Sequence, residues 1–333
     1  MYNTKIKALA ITMLTIMCFA SCGSDDDNGT NGGISERNDN KNTVFEDHAA
    51  TRIEVPHLRG GNSKFIVYRT NDKTFDKDGV NFCVEWDKDL KANRWTCYVL
   101  TKQNVSGSAN RWKGDYNTPE TSSSSAYFFD LNNLTIKDYW HYTDSRDGGE
   151  HCYIHNARGL DHGHLCPSND RTYSADINKQ TFYITNMQPQ YSVFNGSAPS
   201  YQYKGLWLTM EKFVHDFSKN YKFASNDTLF VCKGGTIDNA DQILMRVDNK
   251  LIVPKYYYAA LVWKHTNDNK YYGIAFWFEH INVYHGDDTL SGYAISIDEL
   301  ENKLGNKIDF FCNLPDEIEN KVEKTAAIMS FGL

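Results

Sequence analysis

The central part of the chain combines acidic and imidazole side chains at a spacing suited to acid–base chemistry. Residues 158–190 read RGLDHGHLCPSNDRTYSADINKQTFYITNMQPQ. They contain Asp-His-Gly-His at 161–164, where Gly163 and Pro167 interrupt the pattern too strongly for a helix interior. An imidazole such as that of His164 exchanges a proton near neutral pH, because its ordinary pKa is about 6.5. This stretch can therefore supply a general base.

An asparagine that could bind a metal follows in the same stretch. Residues 181–185 alternate aromatic and β-branched side chains, which predicts a strand that ends just before Asn186. Hard divalent ions such as Mg²⁺ prefer oxygen ligands, and an asparagine carbonyl is one. A histidine beside a glycine, with an asparagine after the next strand, indicates a base and an oxygen ligand for a hard metal.

The order of these and later motifs resembles the DNA/RNA non-specific endonucleases, ββα-metal enzymes that include mitochondrial endonuclease G. Aspartate-x-glycine-histidine is followed by Asn-x-x-Pro-Gln and then by Asn195, Trp207 and Glu211. The resemblance covers about residues 65–322, including LFVCKGG around Val231 and a long terminal segment. It implies an α+β class, the ββα-metal or His-Me finger nuclease fold. It also implies metal-dependent, sequence-non-specific hydrolysis of phosphodiester bonds in DNA and RNA.

The resemblance assigns roles to the chemical residues. His164 would be the general base, Asn186 the direct metal ligand, and Asp161 the residue that orients the motif loop. Glu211 would hold water molecules around the metal and would share a helix with Trp207, whose expected role is packing. The implied ion is Mg²⁺, with Mn²⁺ as an alternative. Some relatives dimerise, so a homodimer stays open.

The sequence departs from the family pattern at three places. His162 follows the motif aspartate where arginine is usual, and His215 stands one helical turn after the glutamate where arginine is common. The segment GSAPSYQYKGL separates Asn195 from Trp207, where the family usually has a very short link. Arginine is always charged and binds phosphate with a planar fork, so two histidines in its place should weaken phosphate binding. His162 stays a candidate site residue.

Two other arginines could replace the missing ones. Arg111 lies in NRWKGD, which resembles an upstream phosphate-contacting arginine of the family, and it is our candidate. Arg171 lies close to the motif in sequence. An exposed, merely solvated side chain is the alternative interpretation of Arg111.

Other interpretations of these residues stay open. Asp161 could be a turn-forming residue, Asn186 a strand-end cap and Glu211 an exposed helix charge. The protein could be a catalytically weakened, nuclease-like binding lipoprotein of the cell surface. A structural zinc site is a further alternative, because histidines and cysteines cluster within a short stretch, although their spacing matches no familiar zinc finger. This cluster is His151, Cys152, His155, His162, His164 and Cys166.

The composition permits a polyanionic partner without indicating one. The chain has 333 residues, 41% of them hydrophobic, which is enough for one large domain or two small ones. Its net charge of −7 excludes a global basic field. Between residues 151 and 222 the balance reverses, with seven Lys and Arg against five Asp and Glu.

The first residues predict an exported, lipid-anchored protein. Residues 1–21 have the form of a signal peptide, with two lysines before an apolar run too short for a membrane span. The run ends in Phe-Ala-Ser-Cys, which resembles a bacterial lipobox and implies lipidation of Cys22; an ordinary secretory signal is the alternative. Residues 22–52 predict a flexible tether, and residues 53–333 the endonuclease domain. We expect the outer membrane or cell surface of a Gram-negative bacterium.

Six cysteines remain outside the signal and the lipidated position. They are Cys83, Cys97, Cys152, Cys166, Cys232 and Cys312. An even number in an oxidising compartment predicts up to three disulfides. We favour a Cys83–Cys97 bond, because these residues flank a predicted hairpin, and a Cys152–Cys166 bond would staple the motif loop.

Hydrophobic periodicity places these residues in an α+β framework. Strands are predicted at 65–68, 81–86, 95–100, 229–231, 251–254, 257–263 and 272–278. Helices are predicted at 206–217, 297–304 and 316–325. Residues 101–159 are expected to be irregular, with a loop tip at 122–125. This pattern indicates a central antiparallel sheet with helices packed on it.

Overall fold

Apolar strands dominate the described part of the chain. The structure, a computed structural model, describes residues 36–43, 46–113, 141–143, 150–152, 159–198, 204–220, 222–247, 249 and 251–333, with the backbone alone at 141–143 and 150–152. The strands are β1 (Ser63–Arg69), β2 (Val80–Asp87), β3 (Ala92–Leu100), β4 (His141–Thr143), β5 (Glu150–Cys152), β6 (Leu160–His164), β7 (Met187–Tyr191), β8 (Thr228–Gly235), β9 (Ile243–Val247), β10 (Leu251–Pro254), β11 (Tyr256–His265), β12 (Lys270–Glu279) and β13 (Ala294–Ile295). The α-helices are α1 (Ala175–Gln180), α2 (Ser192–Asn195), α3 (Leu206–Lys219), α4 (Ile297–Lys303), α5 (Asp316–Glu323) and α6 (Ile328–Phe331).

The centre is a seven-stranded antiparallel sheet with the order β1-β2-β3-β8-β11-β12-β13. Successive side chains of a strand point to opposite faces of a sheet. On β11, Tyr257 and Ala259 therefore enter one hydrophobic core, while Tyr258 and Ala260 enter the core on the other face. All four side chains are fully buried. The sheet is thus apolar on both faces, and each face needs a cover.

Helix α3 covers the first face. Its buried residues Trp207, Met210, Val214 and Phe217 recur at intervals of three and four, so they form one stripe along the helix. The stripe packs into the same core as the first-face residues of β11. The other face is covered by α4 and α5, whose apolar side chains belong to the second core: Ile297, Leu300 and Val322. The result is an α+β architecture with helices on both faces of an antiparallel sheet.

The motif residues lie on a separate two-stranded unit formed by β6 and β7, which are antiparallel. In its register His164 pairs with Met187, and His162 pairs with Pro189. Between the two strands the chain forms α1 and a short 3-10 turn, Ile184–Asn186. Helix α1 begins at Ser174, whose side chain accepts a hydrogen bond from the Ile177 N–H.

The strand predicted at 181–185 is wrong, because the strand begins only at Met187. Residues 181–186 instead form turns after α1, and Phe182, Tyr183 and Ile184 are all buried there. Phe182 and Ile184, two of the residues that suggested a strand, instead pack in a small hydrophobic cluster. Pro189 lies within β7, where a short two-stranded ladder tolerates a residue that cannot donate a backbone hydrogen bond.

Gly163 is required by the close approach of the two strands. A Cβ atom built on Gly163 would lie 2.2 Å from Cδ of Gln190, well inside van der Waals contact. Gln190 is itself fully buried and cannot move into solvent. Any larger residue at position 163 would therefore push β6 away from β7.

The predicted strands of the sheet and the three predicted helices are confirmed, with boundaries that differ by a few residues. The predicted loop tip at 122–125 lies outside the described residues. The same is true of residues 1–35, which include the predicted signal segment and Cys22. Among the residues that the structure describes, no helix is both long enough and apolar enough to cross a membrane.

The predicted flexible tether is wrong for residues 36–43, which pack against the folded body. Asn42 is only 5% exposed, and its Nδ2 donates to the carbonyl oxygens of Ala50 and Pro56 at 3.0 and 3.1 Å. The Asn38 side chain donates to the carbonyl of Cys312 at 2.9 Å. Polar asparagines that suggested disorder instead satisfy buried backbone groups. The folded domain therefore begins earlier than residue 53.

The preferred disulfides are not formed, because Cys83, Cys97 and Cys166 are free buried thiols. The hairpin itself is present: Cys83 pairs with Cys97 across β2 and β3, and Cys97 pairs with Cys232 across β3 and β8. The side chain of Cys152 lies outside the described residues. Burial in the second core raises the pKa of Cys97 and of Cys232 well above the ordinary value. These thiols pack as small apolar side chains.

His280 connects β7 to β10 and should make the fold sensitive to acid. It is fully buried; Nε2 accepts from the Tyr191 N–H at 2.7 Å, and Nδ1 donates to the Pro254 carbonyl at 2.8 Å. Burial lowers its pKa to about 4. As the pH falls, His280 is protonated in the unfolded chain before it is protonated in the folded protein. Its contribution to the stability of the fold is therefore complete above about pH 6.5 and is lost as the pH falls toward 4.

We expect the free energy of unfolding to lose about 2 kcal/mol through His280 between pH 7 and pH 5. Urea unfolding at both pH values should show a steeper loss for the wild type than for His280→Gln. The control His285→Gln changes a partly exposed histidine and should follow the wild type. Equal losses in the wild type and His280→Gln would contradict this expectation.

Candidate active site

Five of the six side chains predicted to act at the site meet at one cleft. The cleft has a volume of about 810 Å³ and is bounded by residues of β6, α2 and α3. Its lining includes the predicted residues Arg111, Asp161, His162, His164 and Glu211. It also includes Asn195, which the sequence placed in the motif without giving it a chemical role. Residues from distant parts of the sequence therefore converge on a single surface.

His164 is held as a neutral base. It is 8% exposed, and its ring packs edge-on against Phe182 with 4.9 Å between centroids. Burial lowers its pKa well below the ordinary value, and the charges of Arg111 and His162 add to this effect. A backbone hydrogen bond with His162 acts in the opposite direction, as expected when a ring N–H donates to a carbonyl oxygen.

The tautomer of His164 follows from its partners. Nε2 is buried and has no hydrogen-bond partner among the described residues. The ring bond to the backbone of His162 must therefore be made by Nδ1. When Nδ1 carries the proton, Nε2 keeps its lone pair and can accept a proton. This is the arrangement that a general base needs.

Asp161 organises the side of the cleft formed by α2. Its Oδ1 accepts from the Ser192 hydroxyl at 2.9 Å, and its Oδ2 accepts from Asn195 Nδ2 at 3.0 Å. The Ser197 hydroxyl also donates to Oδ2. Because the NH₂ group of Asn195 is used by Asp161, the atom that Asn195 can offer to a cation is its carbonyl oxygen.

Asn186 has a structural role, which corrects its prediction as the metal ligand. It is fully buried and does not line the cleft. Its Oδ1 accepts from the Cys166 N–H at 2.9 Å, and Nδ2 donates to the carbonyls of Cys166 and Thr181 at 2.8 and 2.9 Å. The sequence placed Asn186 after a strand, whereas it precedes β7 and its side chain turns toward the connecting loop.

Glu211 brings a carboxylate to the cleft with an unsatisfied oxygen. Its Oε1 is buried and has no hydrogen-bond partner within the described parts of the chain. Burial raises the pKa of this carboxyl to about 7, although Lys233 lowers it and Asp170 raises it further. A buried carboxylate oxygen without a donor is costly, so this site favours the approach of a cation.

Lys233 supplies a positive charge behind Glu211. The side chain is fully buried, and Nζ has no hydrogen-bond partner among the described residues. Nζ lies 5.5 Å from the centroid of the Tyr98 ring and 5.7 Å from that of Trp207, so the two aromatic faces surround it. Its charge lowers the pKa of Glu211 and so favours the ionised carboxylate.

Arg111 is the arginine that reaches the cleft. Its guanidinium lies 4.7 Å above the Phe182 ring, and Nη1 donates to the hydroxyl of Ser168. The residue lies at the surface, so its remaining N–H groups can reach an anion in solution. His162 lines the same cleft but is only 5% exposed.

Arg171 does not reach the cleft, which corrects the suggestion that it could replace a family arginine. It is 2% exposed, and its guanidinium donates to the carbonyls of Asp170 and Asn81, each at 2.9 Å. His215 is also internal: its Nδ1 lies 2.8 Å from Asp170 Oδ1. Asp170 further accepts from the Tyr98 hydroxyl at 3.1 Å. These groups support the site from behind.

The described members of the proposed zinc cluster have separate roles. His162 and His164 line the cleft, whereas Cys166 is fully buried in the first core. The side chains of His151, Cys152 and His155 lie outside the described residues.

Sequence reasoning missed Lys233, Asp170 and the chemical role of Asn195. Lys233 stands in LFVCKGG, a motif noted only as part of the resemblance. The available signal was a charged residue in the middle of an otherwise apolar strand, because lysine is almost never fully buried unless its charge is paired. Asn195 follows Asn-x-x-Pro-Gln in the motif order, yet only the fold shows that its amide reaches the cleft.

The two asparagines should respond differently to truncation. Asn186→Ala removes three buried hydrogen bonds and should lower the free energy of unfolding by about 3 kcal/mol. Asn195→Ala affects a partly exposed amide and should cost less than about 1 kcal/mol. Urea unfolding of both variants measures the difference. Equal destabilisation would contradict the structural role of Asn186.

Known nucleases are similar to this chain. The family described as DNA/RNA non-specific endonuclease matches residues 65–317. Similar curated proteins include a mitochondrial nuclease, EXOG, of Xenopus laevis, 24% identical over 43% of this chain and 32% of that protein. A nuclease of Nostoc sp. is 26% identical over 51% of this chain and 57% of that protein. Nuclease C1 of Cunninghamella echinulata is 26% identical over 34% of this chain and 42% of that protein.

The matched regions thus span about a third to somewhat over half of the length of these curated relatives. Among solved structures, EndoG in its complex with EndoGI has a similar fold, with a TM-score of 0.52 and 19% identity. That similarity covers 76% of this chain and 88% of that structure's chain, and it confirms the α+β, ββα-metal fold. Because the family match extends over most of the chain, the protein belongs to the DNA/RNA non-specific endonuclease family.

Proposed function

We propose that this protein is a metal-dependent endonuclease that hydrolyses phosphodiester bonds in DNA and RNA with little sequence preference. The observation that carries the proposal is the buried Nε2 of His164, which has no hydrogen-bond partner in the described part of the chain and lies at the wall of a cleft that also presents Asn195, Glu211 and Arg111. These side chains provide a base, oxygen ligands and a phosphate contact. Membership of the nuclease family supports the same conclusion.

His164 is the proposed general base. Its lowered pKa keeps the ring neutral at pH 7, so Nε2 can take a proton from the water that attacks phosphorus. Phe182 restricts the ring on one side, and the backbone of His162 orients it through Nδ1. The base is therefore ready before substrate binds, which lowers the cost of orienting it during the reaction.

The donor set fits a hard divalent cation. Members of this family are typically metal-dependent, and the buried oxygen of Glu211, which has no hydrogen-bond partner among the described residues, supports a cation at this place. Asn195 and Glu211 would hold the ion, which we propose to be Mg²⁺ because the available donors are oxygens. Such an ion would supply electrostatic stabilisation to the charged phosphoryl oxygens. Asp161 would fix the Asn195 amide for this purpose.

Arg111 is the proposed phosphate contact. Its guanidinium is supported by the Phe182 ring and the Ser168 hydroxyl, so part of its conformational freedom is already lost before substrate binds. His162 occupies the position where related sequences usually carry arginine. A neutral imidazole there contributes less to phosphate binding than a guanidinium would.

The cellular site is a separate proposal that rests on sequence. We propose that the chain is exported and anchored through a lipid on Cys22, because Phe-Ala-Ser-Cys follows a signal-like segment. Its substrate would then be extracellular nucleic acid.

Cleavage of supercoiled plasmid and total RNA by the purified full-length chain tests the proposed activity. We expect cleavage with Mg²⁺, none with chelator, and a loss of at least about a hundredfold in His164→Ala, because a general base contributes that much or more. His162→Arg should cleave faster than the wild type, since it restores a permanent charge. Nucleic acid degradation by intact cells checks the export proposal.

Thermal unfolding of the same samples is the control for folding. If the folded wild type binds nucleic acid but does not cleave it with any divalent metal, the protein is a nuclease-like binding protein and not an enzyme.

Lys233→Met should change the pH dependence of cleavage. Without the buried cation the pKa of Glu211 rises, so kcat/KM at pH 7 should fall about tenfold and largely recover near pH 9. Lys255→Met is the matched control, because Lys255 lies over the Tyr256 ring outside the cleft lining. A pH-independent loss in Lys233→Met would mean that Lys233 contributes only to packing.

A further inference from the structure

A second group of acidic side chains lies on the face of the sheet that α4 and α5 cover. Asp298 and Glu301 stand three residues apart on α4, and Glu323 ends α5. One carboxylate oxygen from each lies within 4.8 Å of the other two. None of the three lines the cleft of His164. Residue order alone does not reveal this group, because Glu323 is distant from α4 along the chain.

Glu323 has an unpartnered oxygen inside this group. The residue is only 6% exposed, and Oε1 is buried without a hydrogen-bond partner in the part of the chain that the structure describes. Buried carboxylate oxygens are normally paired with a donor or a cation, since leaving one bare costs free energy. The bare oxygen of Glu323 is independent of the convergence of the three carboxylates, and both favour a cation.

The surroundings add negative charge. The strongest charges acting on Glu323 come from Glu301, Glu319, Asp309 and Asp298, all of them acidic. Among the described side chains, no ion pair joins Asp298, Glu301 or Glu323 to a basic residue. A bound cation would relieve the repulsion among these carboxylates.

We propose that Asp298, Glu301 and Glu323 form a second, structural divalent-cation site that takes Ca²⁺. Oxygens bound to one Ca²⁺ at about 2.3–2.6 Å can lie up to roughly 5 Å apart, so three carboxylate oxygens within 4.8 Å of one another fit a single ion. Mg²⁺ usually keeps several waters and binds only one or two protein carboxylates, so a group of three carboxylates suits Ca²⁺ better. All the donors are oxygens, which suits a hard ion.

The ion would join two helices that approach each other only through tertiary structure. Leu300 of α4 and Val322 of α5 already belong to the second core, directly beside the acidic residues in sequence. Binding at the carboxylates would therefore hold α4 and α5 against the sheet at a point where their charges otherwise repel. The expected consequence is a more stable fold in the presence of Ca²⁺, independent of the catalytic cleft.

Thermal unfolding of the metal-free full-length chain with Ca²⁺ as the sole added metal tests this site. At a Ca²⁺ concentration about one hundred times Kd, the wild-type Tm should rise by about 5 °C. Glu301→Gln and Glu323→Gln should lose most of the Ca²⁺-dependent rise without a lower metal-free Tm, because each replaces one carboxylate of the acidic group by a neutral amide of similar shape. In the wild type, Glu301 Oε1 accepts a hydrogen bond from the Phe310 N–H at 2.7 Å. Glu301→Gln keeps a side-chain oxygen that can accept the same bond.

Two controls separate this site from other effects. Glu299→Gln removes an exposed charge on the same helix and should keep the full Ca²⁺ response. Glu211→Gln removes the carboxylate proposed to hold an ion in the cleft, and it should keep the part of the response that Glu301→Gln loses. If Glu323→Gln does not fold, Asp298→Asn, at a half-buried position, provides the same comparison. A wild-type Tm that does not change with Ca²⁺, or a rise that is undiminished in Glu301→Gln, would overturn the proposal.

Discussion

The site depends on the amide of Asn186. The amide oxygen accepts one hydrogen bond and the NH₂ group donates two. Together these bonds join Cys166, just after β6, to Thr181 in the segment that leads into β7. The backbone adds a further bond, from the Leu165 N–H to the Asn186 carbonyl at 3.0 Å. These contacts close the loop between the two strands without any covalent link. Because buried backbone groups must be paired, the Asn186 amide determines the conformation of this loop.

That closed loop positions His164, the proposed base. The Trp207 indole donates to the carbonyl of His164 at 3.1 Å, which joins the end of β6 to α3. Trp207 is fully buried between the helix and the sheet, so the position of His164 is set by the first hydrophobic core. Glu211 lies one helical turn farther along α3 and reaches the same cleft. One packed helix thus positions both His164 and Glu211 at the cleft.

Charged groups are buried behind the cleft. Lys233 stands between two aromatic rings and lowers the pKa of Glu211, while His215 contacts Asp170. Lys233 belongs to β8, so this positive charge comes from the sheet. The position of Arg171 in the sequence suggested a phosphate contact, but its guanidinium donates to backbone carbonyls. Arg111 instead lies at the cleft surface, where substrate charge would be met.

The sequence by itself determined the sheet strands, the stripe of α3 and the motif order, because alternation, helical spacing and residue type are local properties. The motif order was therefore enough to predict that His164, Asp161 and Glu211 share one site. It could not decide which asparagine reaches the cleft, since the strand boundary at Met187 depends on packing of Phe182 and Ile184. Only the tertiary structure placed Lys233 behind Glu211 and brought Glu323 to α4, because such contacts join residues far apart in the chain.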